Sequence, residues 1–312
     1  ALHPGTIPFL AYQPDTDAGV SADRMVPFES VELALAEAWV GGGNYVLALE
    51  PRYRDALLRG DQKATAAWRS LGRTTRWLRA HASLFRQPTL PGVTVLVDGG
   101  FVSTEVANLM YRQCVSPAFE PASGPPPPDP SRRRVVVAAG IDAPAAEVAD
   151  RILAHASAGA SVVVDDLGEN AWWRRAGRTR TRVQEDREFY SLGAGQVVAY
   201  HQVDDPSELA LDVLDLLTPG QRSARLWNSQ GGVAMATTAP ASGPFSGKAL
   251  LHVVNYSRPA DLPVLARIYG NYTGATLLRP EHEPLEVKVA RRGVQSEVAI
   301  PEMARVAVVV FR

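Results

Sequence analysis

Apolar residues are spaced in three different ways along this chain. The first stretch opens with a strand-like apolar run, Ile7-Pro8-Phe9-Leu10-Ala11-Tyr12. A helical pattern follows over residues 27–40, then Gly41-Gly42-Gly43, then a second apolar run, Asn44-Tyr45-Val46-Leu47-Ala48-Leu49, so the segment reads as β-α-β. After Glu50-Pro51-Arg52-Tyr53, the spacing of Ala66, Leu71, Leu78 and Leu84 predicts a helix over residues 62–84, with Trp68 and Trp77 on its inner face. Strand, helix, strand, helix is the order found at the end of a (β/α)8 barrel. Continuous apolar runs suit parallel strands covered on both faces, and two strands alone leave open edges. Residues 1–91 are therefore expected to be the last strands and helices of such a barrel, in the C-terminal part of a longer protein, and residues 92–312 to fold without them.

Pro88 and Pro91 mark the boundary to a second pattern, over residues 92–219. Strands are predicted at 94–98, 134–140 and 161–166, with helices at 104–113 and 143–158, which gives a parallel α/β domain. The Pro125–Pro128 run reads as a stiff surface loop. Residues 220–312 change character again: some seven short strands between Gly, Pro and Asn turns, without a helix, predict an antiparallel β-sandwich. The whole is expected to be a multidomain α/β plus all-β protein.

Charge narrows the classes of partner. Over 312 residues the net charge is -1, so no global field recruits nucleic acid or an anionic membrane, and neither is expected as a partner. No apolar run approaches the roughly 20 residues of a membrane span. A single cysteine, Cys114, excludes an internal disulfide and an all-cysteine metal site, and the scattered histidines form no ligand pair, so neither a metal nor a cofactor is expected.

In a barrel, catalytic groups stand just after the strands, at their C-terminal ends. The first run is followed by Tyr12, Gln13, Asp15 and Asp17, and the second by Glu50, Arg52 and Tyr53. Asp15, Asp17 and Glu50 have the chemistry of the carboxyl pair that cleaves a glycosidic bond, and Tyr12, Gln13 and Arg52 are candidate substrate contacts. Asp15-Thr16-Asp17 also reads as a solvated turn bonded to its own backbone, and Glu50 as a loop charge. Asp165, Asp166 and Glu169 follow the third strand of the second pattern, where open α/β sheets bind ligands; a polar loop is the competing reading. Arg174, Arg175, Arg178, Arg180 and Arg182, beside Trp172 and Trp173, are answered at once by Glu185, Asp186 and Glu188, as in a self-neutralising loop.

Three segments carry a family resemblance. The passage Glu32 to Tyr45 resembles the last helix-to-strand passage in glycoside hydrolases related to the family-42 β-galactosidases. The second pattern resembles their amidotransferase-like trimerisation domain. Leu250-Leu251-His252-Val253-Val254-Asn255-Tyr256-Ser257, with Ala299-Ile300-Pro301 and Val306 to Val310, is similar to their C-terminal β-domain. The resemblance implies a carbohydrate substrate, oligomer contacts through the second domain, and strands seven and eight of the barrel at 7–12 and 44–49. It also implies a nucleophilic Glu at the end of the seventh strand, where this chain has Gln13, and an acid Glu on a fourth strand that this chain lacks. The fragment is therefore expected to be inactive by itself. The non-enzymatic alternative is a carbohydrate-binding or oligomerisation module. An amidotransferase activity is argued against by Asp165-Asp166-Leu167-Gly168, which has no nucleophile where an elbow would place one.

Overall fold

The computed structural model describes residues 7–11, 27–90, 92–98, 100–115, 117–123, 134–141, 144–165, 168–174, 178–201, 206–217, 221–229, 231–238, 242–257, 263–303 and 305–312. Tyr12, Gln13, Asp15, Asp17, Asp166 and the Pro125–Pro128 run lie outside them.

The first apolar runs pair as two parallel strands, β1 (Phe9–Ala11) and β2 (Asn44–Val46), joined through α1 (Ser30–Val40). α1 ends at Gly41-Gly42, with Gly42 at φ 82°. Gly43 then enters β2 so close to β1 that a Cβ there would lie 2.9 Å from the Pro8 carbonyl oxygen. α2 (Pro51–Leu58) follows, then α3 (Gln62–Ala80), whose Asp61 cap accepts from the Ala64 amide at 2.9 Å. The buried stripe of α3 is Ala64, Ala67, Leu71, Thr74 and Leu78, at alternating spacings of three and four. Trp68 stands just off that stripe and is 40% exposed, and Ala66 is exposed, so neither buries the inner face as the sequence predicts. Trp77 does pack inward, edge-on to Phe85.

Next comes a seven-stranded sheet built from β3 (Val93–Val97), β4 (Ala118–Pro121), β5 (Val135–Val137), β6 (Ser161–Val164), β7 (Thr179–Val183), β8 (Arg187–Leu192) and β9 (Gly195–Tyr200). Its order is β4-β3-β5-β6-β9-β8-β7; the first five are parallel and β8 and β7 antiparallel. α4 (Phe101–Arg112) and α6 (Pro206–Asp215) cover one face, and α5 (Ala146–Ser157) with Trp173 the other. Val135 and Val137 therefore pack on one side and Val136 on the other, which accounts for the uninterrupted apolar run. The C-terminal part of the Arg-rich stretch, with Arg180 and Arg182, proves to be strand β7 of the β7–β8 hairpin at the sheet edge rather than a loop, with Arg180 3.4 Å from Glu188. Its alternation of Thr and Arg hides the strand, because an edge strand exposes both faces.

Among the described residues the last part holds nine strands, two more than expected. β10 (Ala224–Trp227), β13 (Val264–Tyr269), β17 (Gln295–Ile300) and β16 (Ala290–Arg292) form one antiparallel sheet. β11 (Gly232–Thr238), β12 (Ala249–Asn255), β18 (Val306–Phe311), β14 (Ala275–Leu278) and β15 (Leu285–Val287) form the other. The extra strands are β10 and the break of one predicted run into β15 and β16. Leu251, Val253, Ala307 and Val309 meet Ala266, Ile268, Val298 and Ile300 between the sheets.

The opposite face of the five-stranded sheet is also dry. Leu250, Val254, Val306, Val308 and Val310 pack against Leu35, Val40, Leu71, Leu78, Leu84 and Phe85 of the α1–α3 layer. The chain at Pro88 to Leu90 is laced to the β11 edge, with Leu90 N donating to Ala236 O at 2.9 Å and Thr238 N to Pro88 O at 2.8 Å. This packing weighs against the expectation that residues 92–312 fold without the first segment, because that segment covers one face of their five-stranded sheet.

Candidate functional site

β2 delivers the chain to Glu50, which caps α2 with an extended backbone (ψ 144°) ahead of Pro51 at the first helical position. Its side chain makes no capping bond, and the residue, partly exposed, lines a cavity of about 60 Å³ shared with Ser30, Val31, Tyr45 and Tyr53. That volume holds a few waters and is far below the roughly 300 Å³ at which ligand pockets begin. Tyr53 is a packing residue: it stacks on Phe28 with ring centroids 4.6 Å apart, and its hydroxyl donates to the Ala64 carbonyl at 3.5 Å. Burial, then the charges of Glu29 and Glu32, push its phenol up. Arg52 is exposed on the first turn of α2 and does not line the Glu50 cavity.

Of the three carboxylates that the sequence offers for glycosidic cleavage, Glu50 alone is described, and the structure tests no pairing of it with Asp15 or Asp17. The neighbouring Glu32 is committed elsewhere: it accepts from Thr74 Oγ1 at 2.6 Å in the buried α1–α3 seam. Among the described residues no group of three or more His, Cys, Asp or Glu side chains is gathered to hold a metal, and no helix is long and apolar enough to cross a membrane.

In the seven-stranded sheet the acidic residues at the strand ends hold turns. Asp165 accepts from the Gly140 amide at 2.7 Å, steadying a turn in which Gly140 has φ 72° and a Cβ would lie 2.8 Å from Val102. Asp98 accepts from Gly100 N at 2.7 Å and from Ser103 Oγ at 3.1 Å, opening α4. Glu169 is exposed. Cys114 is buried past the end of α4 with its thiol 3.6 Å from the Gly232 carbonyl, and burial pushes that thiol up, away from the reactive thiolate.

Sequence reasoning missed a cavity of about 710 Å³, where α1, α4 and β11 converge around Leu10, Glu37, Asn108, Tyr111, Val233 and Tyr256. Its lining includes Gly41, just before β2, and not Glu50. Burial pushes the Tyr111 hydroxyl up to about 12. No local signal could have revealed it, since its walls come from residues more than 200 apart in the chain.

No family model and no curated protein matches the chain. Solved structures do. An α-L-fucosidase isoenzyme 2 from Paenibacillus thiaminolyticus aligns over 91% of this chain and 57% of its own, at 12% identity and TM-score 0.61. A GH42 β-galactosidase from G. stearothermophilus, as a catalytic mutant, aligns over 92% and 51%, at 11% identity and TM-score 0.54. A β-galactosidase from Bacillus circulans sp. alkalophilus aligns over 90% and 51%, at 10% identity and TM-score 0.51. The chain thus spans about half the length of the solved structures it matches, and what it shares with them is a glycoside hydrolase-like fold.

Proposed function

We propose that this chain is the C-terminal portion of a glycoside hydrolase related to the family-42 β-galactosidases, cleaving O-glycosidic bonds in its full-length form. The observation that carries the reading is the fold likeness, which runs over nine-tenths of the chain into sugar-cleaving enzymes of two kinds. In this reading residues 1–91 close a (β/α)8 barrel, 92–219 form the amidotransferase-like domain, and 220–312 form the β-sandwich. The exposed apolar side chains of β1 and β2 support it, since in a barrel further strands and helices would cover them. Glu50, after the second strand, lies on the face where barrels assemble their sites, with Asp15 and Asp17 as its partners and Tyr12, Gln13 and Arg52 as substrate contacts.

The isolated chain is inactive in this reading, because its one described candidate residue lines a space too small for a sugar and cleavage needs two carboxylates. The test is made in the longest natural polypeptide that contains the chain. Glu50→Gln, Asp15→Asn and Asp17→Asn are assayed separately on aryl glycosides and oligosaccharides. A loss under about tenfold in each, roughly 1.4 kcal/mol, removes all three from catalysis; no cleavage by the parent of any glycoside removes the hydrolase.

A second reading, an oligomerisation module, is favoured by β7. Every residue of this edge strand is exposed, leaving one side of the seven-stranded sheet free to meet another copy. A strictly monomeric parent by light scattering excludes it. Neither reading gives the second domain chemistry of its own: with Cys114 buried, ammonia release from glutamine stays at background.

A further inference from the structure

The outer face of the four-stranded sheet carries a cluster that nothing above uses. Alternation sends Ala224, Leu226, Ala266 and Ile268 toward the sandwich core and leaves Arg225, Trp227 and Arg267 on the other side. The β10–β13 register sets Arg225 directly opposite Arg267, a placement that costs stability because like charges meet across the strands. One carboxylate relieves part of it. Glu297, opposite Arg267 on β17, accepts from Arg267 Nε at 2.6 Å and from Arg292 Nε at 3.0 Å, so each of its oxygens already holds a guanidinium.

Arg225 is left over. Among the described residues no carboxylate pairs with it, and its guanidinium lies 4.6 Å from the Trp227 ring centroid, with that of Arg267 at 4.4 Å. Burial first, and then the charges of Arg222 and Arg267, lower its pKa, as expected of a cation in want of an anion. Tyr269, 44% exposed, continues the face along β13. From β10 to β16 it spans three strand spacings, about 14 Å, the length of a short oligosaccharide.

We propose that this face binds an acidic polysaccharide, a chain of uronate residues whose carboxylates bridge Arg225 and Arg267 while its sugar rings lie along Trp227 and Tyr269. Guanidinium forks match carboxylates two bonds at a time, and aromatic rings provide flat apolar contact for pyranose faces. The proposal rests on the carbohydrate reading, but its test reads binding alone. Binding with no cleavage by any parent removes the hydrolase and leaves this surface; cleavage without binding removes this surface alone.

The experiment is affinity electrophoresis of the full chain in gels containing polygalacturonate, neutral dextran or poly(U). Retardation is expected in polygalacturonate at low salt, with little in dextran or poly(U). Arg225→Gln should weaken it by roughly fivefold or more, Arg225→Lys should restore only part of it, since an ammonium keeps the charge but not the fork, and Arg54→Gln, on exposed α2, should leave it unchanged. Circular dichroism melting checks that Arg225→Gln folds; if it does not, Tyr269→Ala, at a side chain 44% exposed, takes its place. No retardation in polygalacturonate, equal retardation in poly(U) or dextran, or equal weakening by Arg54→Gln overturns the proposal.

Discussion

Two apolar sheets in this molecule meet opposite fates. The pair β1–β2 leaves Phe9 68%, Leu10 48% and Val46 45% exposed, and Leu47, just after β2, is 47% exposed. Strands β12 and β18, no more apolar in composition, are buried at every position: one set of side chains enters the sandwich and the other meets α1 and α3. The difference is one of neighbours, since a strand is dry on both faces only when a layer stands on each side. The same helices that flank β1–β2 supply the second layer for β12–β18, and so the first segment stabilises the last.

The contrast is broken most severely by deletion. Residues 92–312 expressed alone should lose the cooperative thermal transition of the full chain and bind a hydrophobic dye, because Leu250, Val254, Val306, Val308 and Val310 lose their cover. A sharp transition in that truncation would show the helices to be dispensable. A single truncation inside the seam, Leu250→Ala, should cost about 2–5 kcal/mol in denaturant unfolding, as large-to-small core changes do.

His252 sharpens the comparison by pH. It stands on β12 against Phe85, with ring centroids 5.3 Å apart, in the seam between sheet and helices. Its Nε2 and Thr237 Oγ1 share a hydrogen bond at 3.0 Å, while Nδ1 is buried with no partner among the described residues. Burial lowers its pKa from 6.5 to about 4. Below the ordinary value the unfolded chain takes up a proton that the folded imidazole refuses, so the unfolded state binds more protons and stability falls as pH drops through that window. The expected loss is about 3 kcal/mol, read from unfolding free energies at pH 7 and pH 4. His252→Gln should flatten that part of the profile, and an unchanged slope would acquit His252.

The smallest effect is expected on the open pair. Leu47→Ala should shift stability by no more than about 0.5 kcal/mol, since an exposed side chain loses little on truncation. A loss of 2 kcal/mol or more would mean that β2 is covered in solution.

Much of the fold was legible because it is written in short-range spacing. The runs at Val135–Val137, Ser161–Val164 and Val306–Phe311 are strands as expected, and α1, α3 and α5 follow the predicted helices. β7 was not legible because an Arg-rich edge strand carries no apolar alternation, and β10 because its four residues are too short a run to stand out. Trp68 was misplaced because one residue of offset on a helix is 100° of rotation. Of the candidate site, the sequence located Glu50 after its strand. It could not show that Tyr53 is a packed ring, that Asp165 holds a turn at Gly140, or that Arg225 meets no carboxylate among the described residues, since each of these depends on partners far along the chain.

By itself the sequence determined the kinds of layer: parallel strands with helices in the middle, short antiparallel strands at the end, and a net charge too small to choose a partner. The unbroken apolar run Ala249-Leu250-Leu251-His252-Val253-Val254 even required cover on both faces of β12. Only the tertiary structure decided that the cover comes from α1 and α3, some 170 residues or more earlier in the chain, and that it encloses a histidine. Hydrophobic burial is non-directional: a sequence records that a face must be dry, and the packing of whole elements settles what dries it.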